Sequence, residues 1–309
     1  MSSYYESALD LIGDTPMVQL KRMGLPEGIK AFAKLELYNP AGSIKDRVGK
    51  AMLDQAEKDG TLKPGGVIIE ATAGNTGLGV ALAALGRGYR LIFVIPEKFS
   101  IEKQTLIRAL GAEVINSPSA EGMAGAIAKA EQMRSEIPNA VMLAQFSNPV
   151  NPQIHYETTG PEIWQAMGGE IDYFVAGAGS GGTFSGVAKY LKEQNPNIKA
   201  VLLDPVGSTM GGGEPGTWDI EGIGNLSIPL TMDMDLIDDV VKVDSAEAVD
   251  WDRILVRREG IFAGPSSGAA MAAVIKLADR IKSHGVEQAN IVTIFPDRGA
   301  RYFSKHLYE

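Results

Sequence analysis

Short apolar runs and helical patterns alternate along almost the whole chain. The apolar runs are continuous, as is typical of strands that are buried on both faces of a parallel sheet. The segments between them carry apolar residues three or four positions apart, which predicts amphipathic helices. Strand followed by crossover helix indicates an α/β fold, with mostly parallel twisted sheets covered by helices. The predicted strands are 31–37, 67–70, 90–95, 113–116, 141–146, 173–176, 200–203 and 291–295.

The predicted helices have the lengths expected of crossover connections between parallel strands. They are 45–59, 75–87, 100–110, 121–135, 152–167, 182–193, 245–258 and 266–283. The segment 206–230 is rich in glycine and proline and fits neither pattern, so we predict that it is a surface excursion.

Composition narrows the class of protein further. The 309 residues suffice for two lobes, and no run of 18 apolar residues predicts a membrane span. The absence of cysteine excludes disulfides and thiolate metal sites, and three well-separated histidines make a metal site unexpected. A net charge of −9, spread along the chain, argues against nucleic acid as a partner. With no signal-peptide pattern at the start, we expect a cytoplasmic enzyme.

A lysine follows the first strong break in the pattern. Asn39-Pro40 and Gly42 end a predicted strand, Ser43 can cap the next helix, and Asp46 lies in its first turn. Lys45, at the exposed start of that helix, has positive backbone N–H groups beside it, which favour the neutral amine that Schiff-base chemistry requires. The alternative is an ordinary surface lysine on an amphipathic helix.

The threonine loop, Thr72–Thr76, follows the predicted strand 67–70 and opens a helix. It offers hydroxyls, an amide and backbone N–H groups, which suit a carboxylate ligand. Asn75 could also donate a hydrogen bond to a phenolate oxygen. The alternative is a plain strand–helix turn that Asn75 caps.

The glycine loop, Gly177–Thr183, follows the predicted strand 173–176. Its bare backbone can approach a phosphate closely, and Ser180 and Thr183 add hydroxyls. The loop also satisfies the G-x-G-x-x-G pattern, with Asp204 about twenty residues further on. A nicotinamide-dependent oxidoreductase is therefore a rival hypothesis, which would use Gly177, Gly179, Gly182 and Asp204.

A third glycine-bearing loop, 264–268, opens a long predicted helix. One of its serines could cap that helix. Alternatively, Ser266 could present a neutral hydroxyl to a ring nitrogen, with Ser267 as the second choice.

These segments together resemble the O-acetylserine sulfhydrylase and cystathionine β-synthase family of pyridoxal-phosphate enzymes. The resemblance covers nearly the whole chain, from Gly13 to Asp297. It implies the two-lobed fold-type II architecture, with a larger cofactor-binding lobe of residues 1–40 and 150–309 and a smaller mobile lobe of residues 41–149. It also implies a homodimer, small amino-acid substrates and pyridoxal 5′-phosphate as cofactor.

The resemblance also implies a role for each motif. Lys45 would be the internal-aldimine residue and the catalytic base. Thr72, Ala73, Asn75, Thr76 and Gln145 would bind the substrate carboxylate, with Asn75 also on the cofactor O3′. The phosphate would lie on Gly177, Gly179, Ser180, Gly181, Gly182 and Thr183, and Ser266 would face the pyridine nitrogen.

The implied reaction is β-replacement on O-acetyl-L-serine or L-serine through an aminoacrylate intermediate. Homocysteine or sulfide would be the acceptor, giving cystathionine or cysteine. Two features are similar to the short bacterial cystathionine β-synthase-like branch: Ala73, where many cysteine synthases have serine, and Glu221 beside a Gly-Ile-Gly turn. Glu221 could bind the ammonium of homocysteine or be an ordinary solvated carboxylate.

Two alternatives remain within this fold. One is a plain cysteine synthase that uses sulfide only, and the other is a catalytically silent binding protein. The loop 298–301 departs from the family pattern, so its role stays open.

Overall fold

The structure, a computed structural model, describes residues 4–72, 74–97 and 99–309. The chain folds as two compact units. The smaller unit contains the segment to Ile12 and Asn39–Asn151, and the larger unit contains Gly13–Tyr38 and Pro152–Glu309. The roles inferred for the lobes, cofactor binding and mobility, stay predictions.

Strands and helices alternate as the sequence pattern predicts. The strands are β1 Met17–Gln19, β2 Ile29–Leu35, β3 Val67–Ala71, β4 Arg90–Pro96, β5 Glu113–Ser117, β6 Ala140–Val141, β7 Tyr173–Gly177, β8 Lys199–Pro205, β9 Asp239–Val243 and β10 Ala289–Phe295. The α-helices are α1 Lys45–Lys58, α2 Asn75–Ala83, α3 Ile101–Ala109, α4 Gly122–Glu136, α5 Val150–Ile154, α6 Gly160–Ala166, α7 Gly182–Gln194, α8 Ser245–Glu259 and α9 Pro265–Ser283.

The smaller unit is built on a parallel sheet in the order β5-β4-β3-β6. Its central strand β3 is buried along its whole length, as a continuous apolar run predicts. Helices α1 and α2 touch at glycines: a Cβ built on Gly79 would lie 2.3 Å from the Lys45 carbonyl oxygen. Only glycine permits so close an approach, and it fixes the start of α1 against α2.

The larger unit is built on a sheet in the order β1-β2-β10-β7-β8-β9. All neighbours are parallel except β1, which runs antiparallel to β2. Helix α9 is buried along most of its length and packs its alanine-rich surface into the core of this unit. The sequence pattern missed β1 and β9, which are short or half-buried strands.

Three predicted segments differ from the structure. The strand predicted at 141–146 ends at Val141. The helix predicted at 152–167 contains a π-helical turn, His155–Thr159, between α5 and α6. The prediction of a surface excursion at 206–230 is wrong at its centre, because Ile220, Glu221 and Ile223 are buried.

Membrane-spanning helices and clusters of metal-ligand side chains were sought in the described residues. Within the described ranges, no helix is both long enough and apolar enough to cross a bilayer. In the same ranges, no three histidine, aspartate or glutamate side chains come together as a metal site would need.

Candidate active site

Lys45 is the first residue of α1, and its side chain is partly buried rather than exposed as the sequence suggested. Burial removes water from the ammonium group and lowers the pKa of Lys45 to about 8. About a tenth of the amine is therefore neutral at pH 7 and about half at pH 8, and the neutral form is the one that attacks an aldehyde.

The turn before Lys45 is closed by its own polar groups. Asp46 is buried and accepts a hydrogen bond from the Ala41 N–H at 2.6 Å. Ser43 does not occupy the N-cap position, which belongs to Ile44, but its Oγ accepts the Lys45 N–H at 3.3 Å. The two side chains hold the backbone of Lys45 at the start of α1.

The threonine loop is organised by hydroxyl groups. The Thr72 Oγ1 accepts the N–H groups of Gly74 at 3.0 Å and of Gly77 at 3.4 Å. Asn75 is the first residue of α2, and the N-cap is Gly74, so the interpretation of Asn75 as the cap is wrong. Ala73 lies outside the described residues.

Gln145 lies against the threonine loop. The Thr76 Oγ1 donates to the Gln145 Oε1 at 2.6 Å, and both side chains are buried. The structure thus brings Thr72, Thr76 and Gln145 together within the smaller unit. Because Gly79 of α2 contacts the carbonyl of Lys45, α1 begins close to the same helix.

The glycine loop joins β7 to α7 in the larger unit, and its bare backbone is required by what packs behind it. A Cβ on Gly179 would lie 2.3 Å from the Gly222 carbonyl oxygen, and one on Gly181 would lie 2.6 Å from Met232 Cβ. Gly181 also has φ +87°, a conformation that favours glycine. No side chain of the described residues caps α7. Its first N–H groups therefore suit a phosphate dianion.

His155 is a functional candidate that the sequence reasoning missed. It is buried in the π-helical turn, with its Nδ1 3.0 Å from the Thr159 Oγ1 and its Nε2 3.2 Å from the Thr183 Oγ1. Thr183 belongs to the glycine loop, so His155 orients one of the loop's hydroxyls. The sequence could have predicted the contact between His155 and Thr159, because residues four positions apart lie on the same face of a helix. It gives no signal for the contact between His155 and Thr183.

Both serines of the third loop lie buried in the first turn of α9. The N-cap is Gly264, and no side chain of the described residues caps the helix, so the capping interpretation is wrong for both. The Ser267 Oγ is fully buried and has no hydrogen-bond partner in the described chain. Ser266 lies beside it in the same turn.

Glu221 is buried, which contradicts the interpretation of a solvated carboxylate. Its Oε1 lies 3.8 Å from the Lys305 Nζ. Its neighbours Gly222 and Ile223 pack behind the glycine loop.

Asp204, the acidic residue of the rival dinucleotide hypothesis, is engaged within the protein. It accepts the Gly211 N–H at 2.8 Å and forms an ion pair with Lys242 at 2.6 Å. Its carboxylate is therefore used to fold the larger unit, which leaves the rival hypothesis without its ribose ligand.

Comparison with known proteins identifies the family. A family model described as "Pyridoxal-phosphate dependent enzyme" matches residues 8–297, so the chain belongs to that family. It is 49% identical to the O-acetylserine dependent cystathionine beta-synthase of Bacillus subtilis, over 97% of this chain and 96% of that one. It is 45% identical to the cysteine synthase of Helicobacter pylori, over 97% of each chain.

A solved structure agrees with these relatives. The crystal structure of O-acetylserine dependent cystathionine beta-synthase from Helicobacter pylori superposes with a TM-score of 0.95 at 43% identity, covering all of both chains. The predicted family, fold class and cofactor, and the prediction that the chain is an enzyme, are confirmed.

The residues present fit pyridoxal phosphate. The glycine loop offers a backbone cradle that any Cβ at Gly179 or Gly181 would disrupt, and the uncapped first turn of α7 suits a dianion. Lys45 offers an amine whose pKa burial lowers to about 8. The anion cradle suits the cofactor's phosphate, and a partly neutral amine suits its aldehyde.

Proposed function

We propose that this protein catalyses β-replacement on O-acetyl-L-serine. Homocysteine or sulfide replaces the acetate at Cβ and gives cystathionine or cysteine. The observation that carries the proposal lies in the smaller unit, where Lys45 starts a helix packed on the helix that carries Thr76, itself bonded to Gln145. The relatives named above, from Bacillus subtilis and Helicobacter pylori, support the choice of substrates.

Named residues of the chain would hold the cofactor. The N–H groups and hydroxyls of the glycine loop would bind its phosphate, the hydroxyl of Ser266 would face its ring nitrogen, and Asn75 would donate to its O3′. Lys45 would bind its aldehyde and would be released when the amino group of the substrate takes its place. When bound, pyridoxal phosphate withdraws electrons from the substrate Cα, which makes the Cα proton removable.

Lys45 then acts as the base. The buried environment that lowers the pKa of Lys45 to about 8 keeps part of its amine unprotonated, and the amine takes the proton from Cα. The acetate leaves Cβ, the sulfur of the acceptor forms the new bond there as its own proton passes to solvent, and the amine of Lys45 returns its proton to Cα. Thr72, Thr76 and Gln145 bind the α-carboxylate and so orient Cα toward the base.

Ser266 tunes this chemistry. A neutral hydroxyl does not hold a proton on the ring nitrogen as a carboxylate would, so electron withdrawal is weaker. Side reactions that need the strongest electron withdrawal, such as transamination, are thereby disfavoured. We also propose, on the family resemblance, that the protein is a cytoplasmic homodimer and that the smaller unit moves to exclude water during turnover.

One experiment tests the proposal at its root. Purified protein should be yellow, and borohydride reduction should fix the cofactor to the peptide that carries Lys45. Lys45→Ala should abolish both the fixation and the formation of cystathionine, detected by mass spectrometry. Lys50→Ala, an ion-paired lysine on the same helix, is the matched control and should behave as the wild type. The proposal would be ruled out if the protein were colourless and bound no pyridoxal phosphate.

The acceptor is tested separately. The test is a comparison of kcat/KM for O-acetylserine and for serine, each measured with sulfide and with homocysteine as acceptor. Glu221→Gln should lose rate with homocysteine alone, if the carboxylate binds the acceptor's ammonium in competition with Lys305. Glu214→Gln, an exposed glutamate of the same segment, is the control. Equal losses with both acceptors, or none, would favour the second candidate, a plain cysteine synthase, which the 45% identical relative supports.

A further inference from the structure

Strand β3 carries a carboxylate in an otherwise apolar sequence. Glu70 is the fourth residue of Val67–Ala71, and only 2% of its surface is exposed. A buried carboxylate is costly unless its oxygens accept hydrogen bonds, so its partners reveal its role.

The partners of Glu70 are backbone N–H groups at the point where β6 ends. Strand β6 pairs with β3 only as far as Ile68↔Val141. Beyond that pair, the Glu70 Oε2 accepts the N–H of Leu143 at 3.0 Å and of Ala144 at 2.9 Å. The Gln145 N–H also donates to this carboxylate. The Glu70 side chain therefore takes the place of the next backbone hydrogen bonds between β3 and the chain after β6.

The backbone held in this way has an uncommon conformation. We call residues 143–145 the glutamine turn. Ala144 has φ +55°, which an alanine adopts at a cost. The Asn151 side chain fixes the same turn from its carbonyl side, by donating to the Gln145 carbonyl at 2.8 Å. The turn is thus held against its intrinsic preference.

The glutamine turn carries the side chain proposed for the substrate carboxylate. The Gln145 Oε1 accepts the Thr76 hydroxyl at 2.6 Å, and Thr72 follows Glu70 by two residues. The end of β3 therefore fixes both parts of the proposed carboxylate site: the threonine loop through the chain itself, and Gln145 through the Glu70 carboxylate.

We propose that Glu70 is a positioning residue, whose ionised carboxylate holds the glutamine turn and so sets Gln145 for the substrate. The inference rests on the proposed function, because it takes Gln145 to bind the α-carboxylate of the amino-acid donor. Glu70 would act through the backbone of the glutamine turn.

Burial gives this arrangement a pH dependence. Desolvation raises the pKa of Glu70 to about 7; the three backbone N–H groups act against that rise, and Glu131 on α4 adds to it. Above pH 7 the carboxylate is charged and its hydrogen bonds are stronger. As the pH falls through 7, protonation weakens the hold on the glutamine turn, so the KM for the donor should rise.

The same shift has the opposite sign for stability. Because the pKa of Glu70 is raised in the folded protein, the contribution of Glu70 to stability is greatest below the unfolded pKa of about 4.3. That contribution is lost as the pH rises through about 7. A purely structural role and a positioning role therefore predict different results for a neutral replacement at pH 8.

The first test is Glu70→Gln in the holoenzyme. At pH 8 we expect the KM for O-acetylserine to rise about five- to tenfold with kcat little changed. The pH dependence of KM near pH 7 should disappear, and the thermal midpoint at pH 8 should stay the same or rise. Glu36→Gln, a fully buried glutamate that accepts the Thr15 hydroxyl in the larger unit, is the matched control.

A double-mutant cycle tests whether Glu70 acts through Gln145. The KM effect of Glu70→Gln should vanish in a Gln145→Ala background. Additive effects, or a Glu70→Gln enzyme with the wild-type KM at every pH, would overturn the inference. The inference would also be overturned if Glu70→Gln lowered the thermal midpoint at pH 8 and impaired kcat and KM to the same extent.

A measurement on the wild type keeps the inference testable if Glu70→Gln does not fold. Amide hydrogen exchange of peptides that cover the glutamine turn, corrected for the intrinsic rate, should show protection that grows between pH 6 and pH 8. Flat protection, or protection that falls over this range as exposure of Glu70 on opening would give, would overturn the inference. Hydrogen exchange can be measured without turnover. If protection grows with pH but the protein is inactive on O-acetylserine, the proposed function is wrong, whereas the role of Glu70 in holding the turn is supported.

Discussion

The glycine loop and the threonine loop each connect a buried strand to a helix, yet they are held in different ways. The glycine loop is shaped by backbone and side chains packed behind it, and the Gly222 carbonyl and Met232 leave no room for a Cβ. The threonine loop is shaped by hydrogen bonds that the Thr72 hydroxyl accepts from backbone N–H groups and by the one that the Thr76 hydroxyl donates to Gln145. One loop is thus defined sterically and the other by polar groups.

This difference predicts different responses to substitution. A sterically defined cradle fails as a whole when one position is filled, because neighbouring backbone cannot move aside cheaply. A hydrogen-bonded loop loses its contacts one at a time, each worth about 1 kcal/mol. We therefore expect changes in the glycine loop to abolish cofactor binding and changes in the threonine loop to alter substrate affinity by degrees.

The largest effect should come from Gly181→Asp. A side chain at φ +87° would collide with Met232 and place a negative charge where N–H groups meet the phosphate. We expect cofactor affinity to fall on the order of 100-fold or more, measured by dialysis and visible absorbance. Gly212→Asp is the control, since Gly212 has φ +81° with open space around it. Full occupancy of Gly181→Asp at low cofactor concentration would place the phosphate elsewhere.

Thr76→Val should have a smaller and different effect. Valine keeps the shape of threonine but removes the hydroxyl that donates to Gln145. We expect the KM for O-acetylserine to rise about fivefold while cofactor occupancy stays the same. Thr105→Val removes a hydroxyl from α3 that bonds the Ile101 carbonyl and serves as the control. A loss of cofactor from Thr76→Val would erase the contrast between the two loops.

His155 allows a graded change in the glycine loop without filling it. Loss of its contact with Thr183 should free that hydroxyl to rotate and weaken cofactor binding about threefold. We expect His155→Asn and Thr183→Val to have equal effects, and the double variant no more than either. His284→Asn, an exposed histidine, is the control. Additive losses would show that His155 acts by another route.

The smallest effect concerns the pH dependence of Lys45. Because burial lowers the pKa of Lys45 to about 8, the neutral amine rises from about a tenth at pH 7 to about half at pH 8 and reaches a plateau above about pH 9. Cofactor uptake by cofactor-free protein, followed by absorbance, should show the same rise. N-acetyl-lysine amide added as a competitor should keep gaining reactivity toward pH 10. Parallel pH profiles would mean that the environment of Lys45 does not alter its amine.

The sequence predicted the strands and helices that depend on local periodicity. It missed the features that depend on contacts between residues far apart in the chain. The alternation of strands and helices and the positions of both loops followed from the pattern. The strand predicted at 141–146 was wrong because the Glu70 side chain, not a neighbouring strand, takes the N–H groups of Leu143 and Ala144. Glu70 stands out as a lone carboxylate in an apolar strand, but its partners lie more than seventy positions away.

The helix termini show the same limit. Serine near a helix start predicts a cap, yet glycine occupies the cap before α9 and both serines lie within the buried first turn. The segment 206–230 was predicted to lie at the surface because of its glycines, whereas those at positions 222 and 224 allow it to pass close behind the glycine loop. The glycine content of a segment indicates how freely its backbone can turn, but it does not indicate whether the segment is buried or exposed.

The pairing of β2 with β10 has a consequence for the order in which the chain can assemble. Ile29–Leu35 lies next to Ala289–Phe295 in the larger sheet, whereas the strands of the smaller sheet all fall between Val67 and Val141. A chain emerging from the ribosome can complete the smaller sheet while β2, already able to pair with β1, still lacks its other neighbour, β10. The apolar side chains of β2 stay without their neighbours on β10 until Ala289–Phe295 has been synthesised, so the nascent larger unit keeps an open strand edge for longer than the smaller unit does.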